Sequence, residues 1–354
     1  MQAFQKIHSG FKIAGKSFSS PESILNFVEQ DYPDHYDFLR NWFDDCPDIE
    51  VYTSGSTGAP KKIVVQKVRM LNSAQKTIRF FDLKPQTKAL LNLSSDFIAG
   101  KLMWVRALTG GWNLFVSSPK NQSIAQILKQ HRFHFGAMVP LQVHANLKSI
   151  DRIDKLIIGG GAVSTELKEK LQNKSNHIFA TYGMTETLTH IAVKPLNRQA
   201  ALFSKIDSLD TYRVLEGVEI YIDKRGCLVV EAPGITEQRV ITNDLVQIID
   251  DRHFKWLGRY DNVVNSGGVK LIPEQIEAKL SSHIFVPFFV TGIPDEKLGE
   301  KLILVVEAKS YNLPDFQAVL NKYEIPKEVF FINRFVRTGS DKIKRKESLK
   351  LIGL

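Results

Sequence analysis

Residues 156–162 read Leu-Ile-Ile-Gly-Gly-Gly-Ala, an apolar run that ends in three consecutive glycines. A helix-like stretch follows at 165–171, and a buried strand, a glycine turn and a helix in succession are typical of an open α/β sheet. Ligands bind such sheets outside the carboxyl ends of the strands, where these glycines are expected to lie. The run is not a dinucleotide fingerprint, because Ser164 stands where the third glycine belongs, and a plain tight turn remains the alternative.

The same alternation of apolar runs and helix-like stretches extends on both sides of this run. Strands are predicted at 89–93, 113–116, 135–139, 156–158 and 178–181. Helices are predicted at 101–108, 124–130 and 165–171. This alternation predicts an α/β fold with a parallel sheet.

The pattern changes after Val214. Closely spaced apolar runs at 218–222, 228–231, 245–249 and 254–257 predict antiparallel strands and a small β-rich subdomain. Beyond Asp261, helices from Pro273 and over 315–323 are expected to alternate with strands at 288–291, 302–307 and 329–332. The last part of the chain is therefore predicted to be a small α+β domain.

The composition fits a water-soluble protein with anionic ligands. Of 354 residues, 43% are hydrophobic and 24% are charged, and the formal net charge is +9. Cys46 and Cys227 support neither a disulfide framework nor a zinc site. The first residues contain no signal peptide or membrane span, so a cytoplasmic location is expected. The basic stretch 342–350 lacks interleaved aromatic residues, and nucleic-acid binding is not expected.

Residues 53–61, Thr-Ser-Gly-Ser-Thr-Gly-Ala-Pro-Lys, have the composition of a phosphate-binding loop. Glycine lets the backbone approach a polyphosphate, and hydroxyl groups and a lysine supply donors and charge. The segment is not a Walker loop, because Ala59 and Pro60 separate Gly58 from Lys61. By itself, such a stretch is also compatible with a flexible Ser/Gly linker.

These nine residues resemble the phosphate loop of the adenylate-forming enzymes, which include acyl-CoA ligases, firefly luciferase and peptide synthetase adenylation domains. Five further motifs follow in the order of that superfamily. They are Tyr182-Gly183-Met184-Thr185-Glu186-Thr187, Thr242-Asn243-Asp244, Gly258-Arg259-Tyr260-Asp261, 267–277 and 337–345. The resemblance implies activation of a carboxylic acid by ATP with Mg²⁺, followed by transfer of the acyl group to CoA.

The resemblance also implies roles for individual residues. Those expected to bind the ATP phosphates are Thr53, Ser54, Gly55, Ser56, Thr57, Gly58 and Lys61. Those expected to bind adenosine are Gly160, Gly161, Ala162, Tyr182, Gly183, Asp244 and Arg259. Catalytic roles are expected for Lys342, Thr185 and Glu186, and Glu186 is also the expected magnesium ligand. Asp341 stands where the superfamily has a glycine before its lysine, and Lys344 remains an alternative to Lys342.

Two domains are expected from the resemblance. Residues 1–260 would form the ATP- and acid-binding adenylation domain, and 261–354 a mobile C-terminal domain that rotates about the hinge residue Asp261. Gly267 and Gly268 would then line the path of CoA. Because 52 residues precede Thr53, the N-terminal subdomain is expected to be shorter than is usual in the superfamily.

Within the superfamily the chain most resembles the o-succinylbenzoate-CoA ligases of menaquinone biosynthesis, through 158–162 and 185–192. Gln142 and His190 are the expected polar contacts for an aromatic dicarboxylate, although each could equally be a satisfied structural residue. The alternatives are a ligase for another aryl or medium-chain acid, an adenylation domain that loads a carrier protein, and a protein that binds nucleotide or acyl-AMP without turnover. The oligomeric state is left open.

Overall fold

The computed structural model describes residues 3–52, 62–206, 208–338 and 343–354. The predicted phosphate loop, 53–61, and the predicted catalytic residue Lys342 with its neighbour Asp341 lie outside the described residues. The strands on either side of the loop are described. β3 (Asp48–Tyr52) and β4 (Lys62–Gln66) form a two-stranded antiparallel ladder whose last pair joins Tyr52 to Lys62.

A large mixed sheet forms most of the fold. Its thirteen strands are β1 (Lys12–Ile13), β2 (Lys16–Ser17), β5 (Lys88–Leu91), β6 (Asn113–Val116), β7 (Phe133–Met138), β8 (Ile153–Ile158), β9 (His177–Gly183), β10 (His190–Pro195), β11 (Tyr212–Val214), β12 (Glu219–Ile222), β13 (Cys227–Glu231), β14 (Val240–Asp250) and β15 (His253–Arg259). Their spatial order is β12-β13-β14-β15-β11-β10-β9-β8-β7-β5-β6-β1-β2.

The described residues of the same part of the chain form eight α-helices. They are α1 (Pro21–Asp31), α2 (Tyr36–Phe43), α3 (Lys67–Phe80), α4 (Ile98–Gly110), α5 (Asn121–Gln130), α6 (Pro140–Ala145), α7 (Thr165–Leu171) and α8 (Arg198–Ser204). No helix of the described ranges is both long enough and apolar enough to cross a membrane.

The middle of the large sheet is parallel, as the sequence predicts. The strand pairs β6–β5, β5–β7, β7–β8 and β8–β9 are all parallel. Successive residues of these strands pack into two different apolar clusters: Ile157 and Phe179 in one, Ile158 and Ile178 in the other. Because neighbouring side chains of a strand point to opposite faces, both faces of the sheet are buried.

The β-rich segment after Val214 continues the same sheet. The pairs β9–β10, β10–β11, β11–β15, β15–β14, β14–β13 and β13–β12 are antiparallel, which confirms the predicted strand direction. The antiparallel strands are therefore hydrogen-bonded to the parallel ones and do not form a sheet of their own.

A second sheet follows Arg259. It contains β16 (Val264–Ser266), β17 (Val269–Leu271), β18 (Phe288–Asp295), β19 (Gly299–Glu307) and β20 (Glu328–Ile332). Its helices are α9 (Pro273–Leu280), α10 (Phe316–Val319) and α11 (Arg345–Lys350). The helix expected over 315–323 is shorter than predicted, because Leu320 turns into an extended backbone and is buried in the apolar cluster of this sheet.

Candidate active site

The glycine turn that follows β8 lies at the carboxyl edge of the parallel sheet, as predicted. The Gly159 amide donates to Met138 O on β7 at 3.1 Å, and Thr181 Oγ1 on β9 donates to Ile158 O at 3.1 Å. Ser164 then caps α7 by accepting a hydrogen bond from the Leu167 amide. Gly160, Gly161 and Ala162 therefore lie between the ends of β7 and β9, where a ligand can approach the backbone.

The segment that carries Thr185 and Glu186 connects β9 to β10 by a tight, braced turn. Gly183 pairs with His190, and a Cβ atom at Gly183 would lie 2.2 Å from Thr189 O, so only glycine fits there. Thr187 Oγ1 accepts from the Met184 amide at 3.0 Å and donates to a carbonyl, with Met184 O at 3.0 Å and Thr189 O at 2.8 Å within reach.

Leu188 occupies a strained backbone conformation in this turn. Its φ is 64° and its ψ is −48°, and the Thr189 amide donates to Thr187 O at 2.7 Å across it, which defines a γ-turn of the rare, strained hand. Strain of this kind costs about 1–3 kcal/mol and persists only where the surrounding contacts impose it. The burial of Leu188 and the bonds of Thr187 supply those contacts.

Glu186 suits a magnesium ion whose remaining ligands come from phosphate. Its side chain is exposed, and among the described residues no hydrogen bond or ion pair engages its carboxylate. No group of three or more His, Cys, Asp or Glu residues in those ranges could hold a metal by itself. A single carboxylate completed by phosphate oxygens and water is how proteins commonly bind Mg²⁺, so Glu186 fits that role.

Asp244, in the middle of β14 and paired with Arg259 at the end of β15, is the centre of a buried polar cluster. Tyr182 Oη donates to Asp244 Oδ2 at 2.6 Å, while Trp256 Nε1 and Arg259 Nη1 donate to Oδ1 at 3.1 Å and 3.3 Å. Burial, and secondarily the charge of Asp244, raise the pKa of Tyr182 well above its usual range. The sequence predicted three of these residues, and Trp256 is an addition from the structure.

The three donors limit what Asp244 can still bind. A carboxylate offers about four acceptor positions, and three of them are used by protein groups. Among the described residues, this leaves one position of Asp244 for a hydroxyl of the adenosine that the sequence assigns to it.

The predicted hinge residue Asp261 is tied to the strand that carries Asp244. Asn243 Nδ2 donates to Asp261 Oδ2 at 3.1 Å, and Arg259 Nη2 reaches the same oxygen at 3.4 Å. Asn243 lies inside β14 in extended backbone, so the asparagine serves this contact and not a left-handed turn. In the loop between β16 and β17, Gly268 has a φ of 81° and open space around it, so its backbone conformation requires glycine.

Gln142 is engaged by the protein at both ends of its amide. Its Oε1 accepts from Asn92 Nδ2 at 3.0 Å, and its Nε2 lies within hydrogen-bond distance of Asn92 O and Pro119 O, at 3.2 Å and 3.1 Å. The side chain is buried. These contacts favour a structural role for Gln142 over the predicted contact with substrate.

His190 lies beside a buried arginine that sequence reasoning missed. Arg106 on α4 is 1% exposed, and its Nη2 donates to Thr189 Oγ1 at 3.3 Å. Burial lowers the pKa of Arg106 to about 9, and no acidic side chain of the described ranges pairs with it. Its Nε is buried and has no hydrogen-bond partner there. A buried, unpaired cation beside the Thr185–Thr187 turn is a site for an anion.

A comparison with known families matches this arrangement. The profile of the AMP-binding enzyme family matches residues 49–235, which is just over half of the 354 residues. This chain belongs to the AMP-binding enzyme family. The match includes the glycine turn, Tyr182, Thr185 and Glu186.

Individual relatives of this AMP-binding enzyme cover most of the chain. A 2-succinylbenzoate-CoA ligase from Geobacillus sp. (strain WCH70) is 28% identical over 88% of this chain and 70% of the relative. The structure of an acyl-CoA synthetase (AMP-forming)/AMP-acid ligase II-like protein from Dyadobacter fermentans is 34% identical, covers 90% of this chain and 93% of that chain, and has a TM-score of 0.60. The fold is also that of an o-succinylbenzoate coenzyme A synthetase from Bacillus subtilis in complex with ATP and magnesium ion, with a TM-score of 0.73 at 20% identity over 94% of this chain and 82% of that chain.

Proposed function

We propose that this AMP-binding enzyme activates a dicarboxylic acid, 2-succinylbenzoate (o-succinylbenzoate), and transfers it to CoA. In the first step a carboxylate oxygen attacks the α-phosphorus of ATP, pyrophosphate leaves, and acyl-AMP forms. In the second step the sulfur of CoA attacks the acyl carbon, AMP leaves with the bonding electron pair, and the thiol proton is released. The relatives that carry the name 2-succinylbenzoate-CoA ligase support this choice of acid.

The buried Arg106 is the observation that favours a dicarboxylate over a monocarboxylate. One carboxylate must reach the α-phosphate beside Thr185, and a second would pair with the guanidinium, which has no acidic partner among the described residues. Hydrogen bonds to a charged group contribute about 1.5–3 kcal/mol, because neither partner then remains desolvated and unpaired.

The nucleotide is assigned to the other side of the same turn. Residues 53–61 and Thr185 would bind the phosphates, and Glu186 would hold a magnesium ion that bridges them and offsets their charge. The turn at 160–162, Tyr182 and the Asp244–Arg259 pair would bind adenosine. Lys342 is the proposed donor to the oxygens of the reacting carboxylate and phosphate. The related Bacillus subtilis structure holds ATP and magnesium ion, which is consistent with this assignment.

The two-domain division is part of the proposal. The large sheet ends at Arg259 and the second sheet begins at Val264, with the proposed hinge Asp261 between them. Rotation about this segment would exchange Lys342 for the Gly267–Gly268 loop at the acyl-AMP, so that the pantetheine arm of CoA can enter.

An acid panel tests the proposed reaction. Mass spectrometry of the products from ATP, Mg²⁺, CoA and each acid is expected to show acyl-AMP and the CoA thioester from 2-succinylbenzoate. Acyl-AMP without thioester would point to an adenylation domain that loads a carrier protein. The absence of both products with every acid would refute turnover and favour a nucleotide-binding protein.

A substitution at Arg106 tests the dicarboxylate. Arg106→Gln is expected to raise the KM for 2-succinylbenzoate about tenfold or more, because a charge-assisted hydrogen bond is lost, and to leave the KM for ATP unchanged. Arg79→Gln on α3 is the matched control, since that arginine is exposed. Equal KM values for the acid in both variants would exclude Arg106 from the acyl site.

A further inference from the structure

We propose that His190, together with Thr77 and Thr189, forms a one-directional hydrogen-bond chain that positions Arg106 for the second carboxylate of the substrate. This inference rests on the proposed function, in which Arg106 binds that carboxylate. The three are positioning residues, because they act on the substrate through Arg106.

The hydrogen-bond chain ends on α3, where the carbonyl of Ser73 is the last acceptor. Thr77 Oγ1 donates to the carbonyl of Ser73 at 3.3 Å. A hydroxyl has one hydrogen, and we assign that of Thr77 to the carbonyl of Ser73. Thr77 Oγ1 then accepts Nε2–H of His190 at 3.3 Å, and the hydroxyl hydrogen of Thr189 has an acceptor in His190 Nδ1. His190 therefore carries its proton on Nε2.

The role of the other ring nitrogen, Nδ1, follows from this assignment. With the proton on Nε2, Nδ1 is an acceptor and takes the hydroxyl hydrogen of Thr189, whose Oγ1 lies 3.4 Å away. Thr189 Oγ1 in turn accepts from Arg106 Nη2 at 3.3 Å. Arg106, Thr189, His190 and Thr77 thus each donate once, in that order, and the last acceptor is the carbonyl of Ser73.

The surroundings keep this chain in one state. Thr77 is fully buried and His190 is 4% exposed, so water does not compete for these bonds. Burial and the neighbouring positive charge of Arg106 lower the pKa of His190 well below its usual value, which keeps the imidazole neutral. A neutral imidazole with a fixed tautomer can accept from Thr189, whereas an imidazolium could not.

The chain explains how a cation without an acidic partner keeps one orientation. Among the described residues, oxygen contacts a single nitrogen of Arg106, Nη2, while Nη1 contacts Met103 Sδ at 3.6 Å. Thr189 also belongs to the braced turn, because its carbonyl lies within hydrogen-bond distance of Thr187 Oγ1, at 2.8 Å. Loss of the Thr77 end would free the imidazole to change tautomer, and Nδ1–H would then compete with Arg106 Nη2 for Thr189 Oγ1.

Two variants of neighbouring α3 residues test the chain. Thr77→Val removes the acceptor for Nε2–H and keeps the shape of the side chain. Ser73→Ala is the matched control. Among the described residues of the protein, the buried Ser73 hydroxyl has no hydrogen-bond partner, and Ser73 belongs to the hydrogen-bond chain through its carbonyl alone. Thr77→Val is expected to raise the KM for 2-succinylbenzoate about fivefold with little change in kcat. Ser73→Ala should leave both unchanged.

Substrates that lack one carboxylate separate positioning from a general loss of structure. Two monoacid analogues of 2-succinylbenzoate, in which hydrogen replaces one carboxylate, are 4-oxo-4-phenylbutanoate and 2-propanoylbenzoate. The analogue without the Arg106-bound carboxylate should show the same KM with Thr77→Val as with the unaltered enzyme. An equal rise in KM for the diacid and for the analogue that lacks the Arg106-bound carboxylate would overturn the hydrogen-bond chain, and so would a rise of the same size with Ser73→Ala.

A spectroscopic measurement tests the chain without turnover. Nitrogen-15 NMR of the full-length protein, with His190→Gln to assign the signals, is expected to show a protonated Nε2 and an unprotonated Nδ1. A proton on Nδ1, or a mixture of tautomers, would refute the chain. If no acid is adenylated, the proposed function fails, whereas this measurement still decides the hydrogen-bond direction.

Discussion

Two buried cations in the large sheet region have opposite surroundings. The side chain of Lys67 is fully buried and its Nζ lies 2.6 Å from Asp44 Oδ1, so its charge is neutralised within the protein. Arg106 is equally buried, but within the described ranges its polar contacts are a hydroxyl and a sulfur. Burying a charge without a partner is costly, and proteins retain such groups where a ligand supplies the missing charge. Lys67 is therefore a structural cation, whereas Arg106 is a candidate for binding an anionic ligand.

His35 gives the stability a pH dependence. Its Nδ1 lies 2.6 Å from Ser95 Oγ in a buried site against Trp104. Burial lowers the pKa of His35 from 6.5 to about 4, although Asp34 and Asp96 act in the opposite direction. The unfolded chain thus takes up the proton first as the pH falls, and the stability is complete above pH 6.5 and decreases towards pH 4.

The variant His35→Gln is expected to remove this contribution. Between pH 7 and pH 5 the unaltered protein should lose about 2 kcal/mol more of its free energy of unfolding than the variant does. Urea denaturation at the two pH values measures the difference, and His283→Gln at an exposed position is the control. The same pH dependence in all three proteins would show that His35 titrates normally in the folded state.

At the scale of elements, turns and helix ends hold the functional groups. The β9–β10 connection is held by the close approach at Gly183, the bonds of Thr187 and the strained γ-turn at Leu188. Strain of this kind is concentrated at functional sites, because a packed surrounding must impose it. The turn fixes where Thr185 and Glu186 stand relative to the sheet edge.

The end of α8 shows the same kind of strain at a position without a proposed function. Lys205 caps this helix in the left-handed conformation, with φ 55° and ψ 40°, and is exposed. Lys205→Gly should raise the free energy of unfolding by about 0.5–1 kcal/mol, because glycine adopts this conformation without a steric penalty. Lys205→Ala removes the same side chain and keeps the penalty. Urea denaturation of both variants should place Lys205→Gly above Lys205→Ala, and the reverse order would contradict the helix-cap argument.

At the scale of the whole molecule, the second sheet contacts the first at specific points. Thr165 Oγ1 on α7 lies 2.6 Å from Ser281 Oγ at the end of α9. Glu274 on α9 accepts from Asn262 Nδ2 at 2.5 Å and packs against Gly258, where a Cβ atom would lie 2.4 Å from Glu274 Oε2. The hydroxyl groups of Thr165 and Ser281, 2.6 Å apart, are close enough for cysteines at these two positions to form a disulfide.

A disulfide at this contact tests the proposed rotation. Thr165→Cys with Ser281→Cys, in a Cys46→Ser background that removes the exposed native thiol, should form a bond on oxidation. If the second sheet rotates between the two steps, the oxidised enzyme should keep either acyl-AMP formation or thioester formation and lose the other. Reduction should restore both. Full activity of the oxidised enzyme in the overall reaction would refute the rotation.

The sequence by itself determined the parallel strands of the large sheet, their antiparallel continuation and the second sheet. It did so because the period of apolar residues and the positions of turn residues are local properties that each element must satisfy. The ordered motifs determined the family for the same reason, since each motif is a short contiguous run.

Only the tertiary structure decided which side chains meet. Arg106 lies in the helix-like stretch 101–108, where an arginine normally extends its charge to water, and nothing in that stretch indicates burial beside His190. Trp256 likewise joins Asp244 only because β14 and β15 pair in one register. The hydroxyls around His190 come from α3 and from the turn before β10, which are more than a hundred residues apart in the chain. Such distant groups are brought together by packing and strand register, which no local pattern encodes.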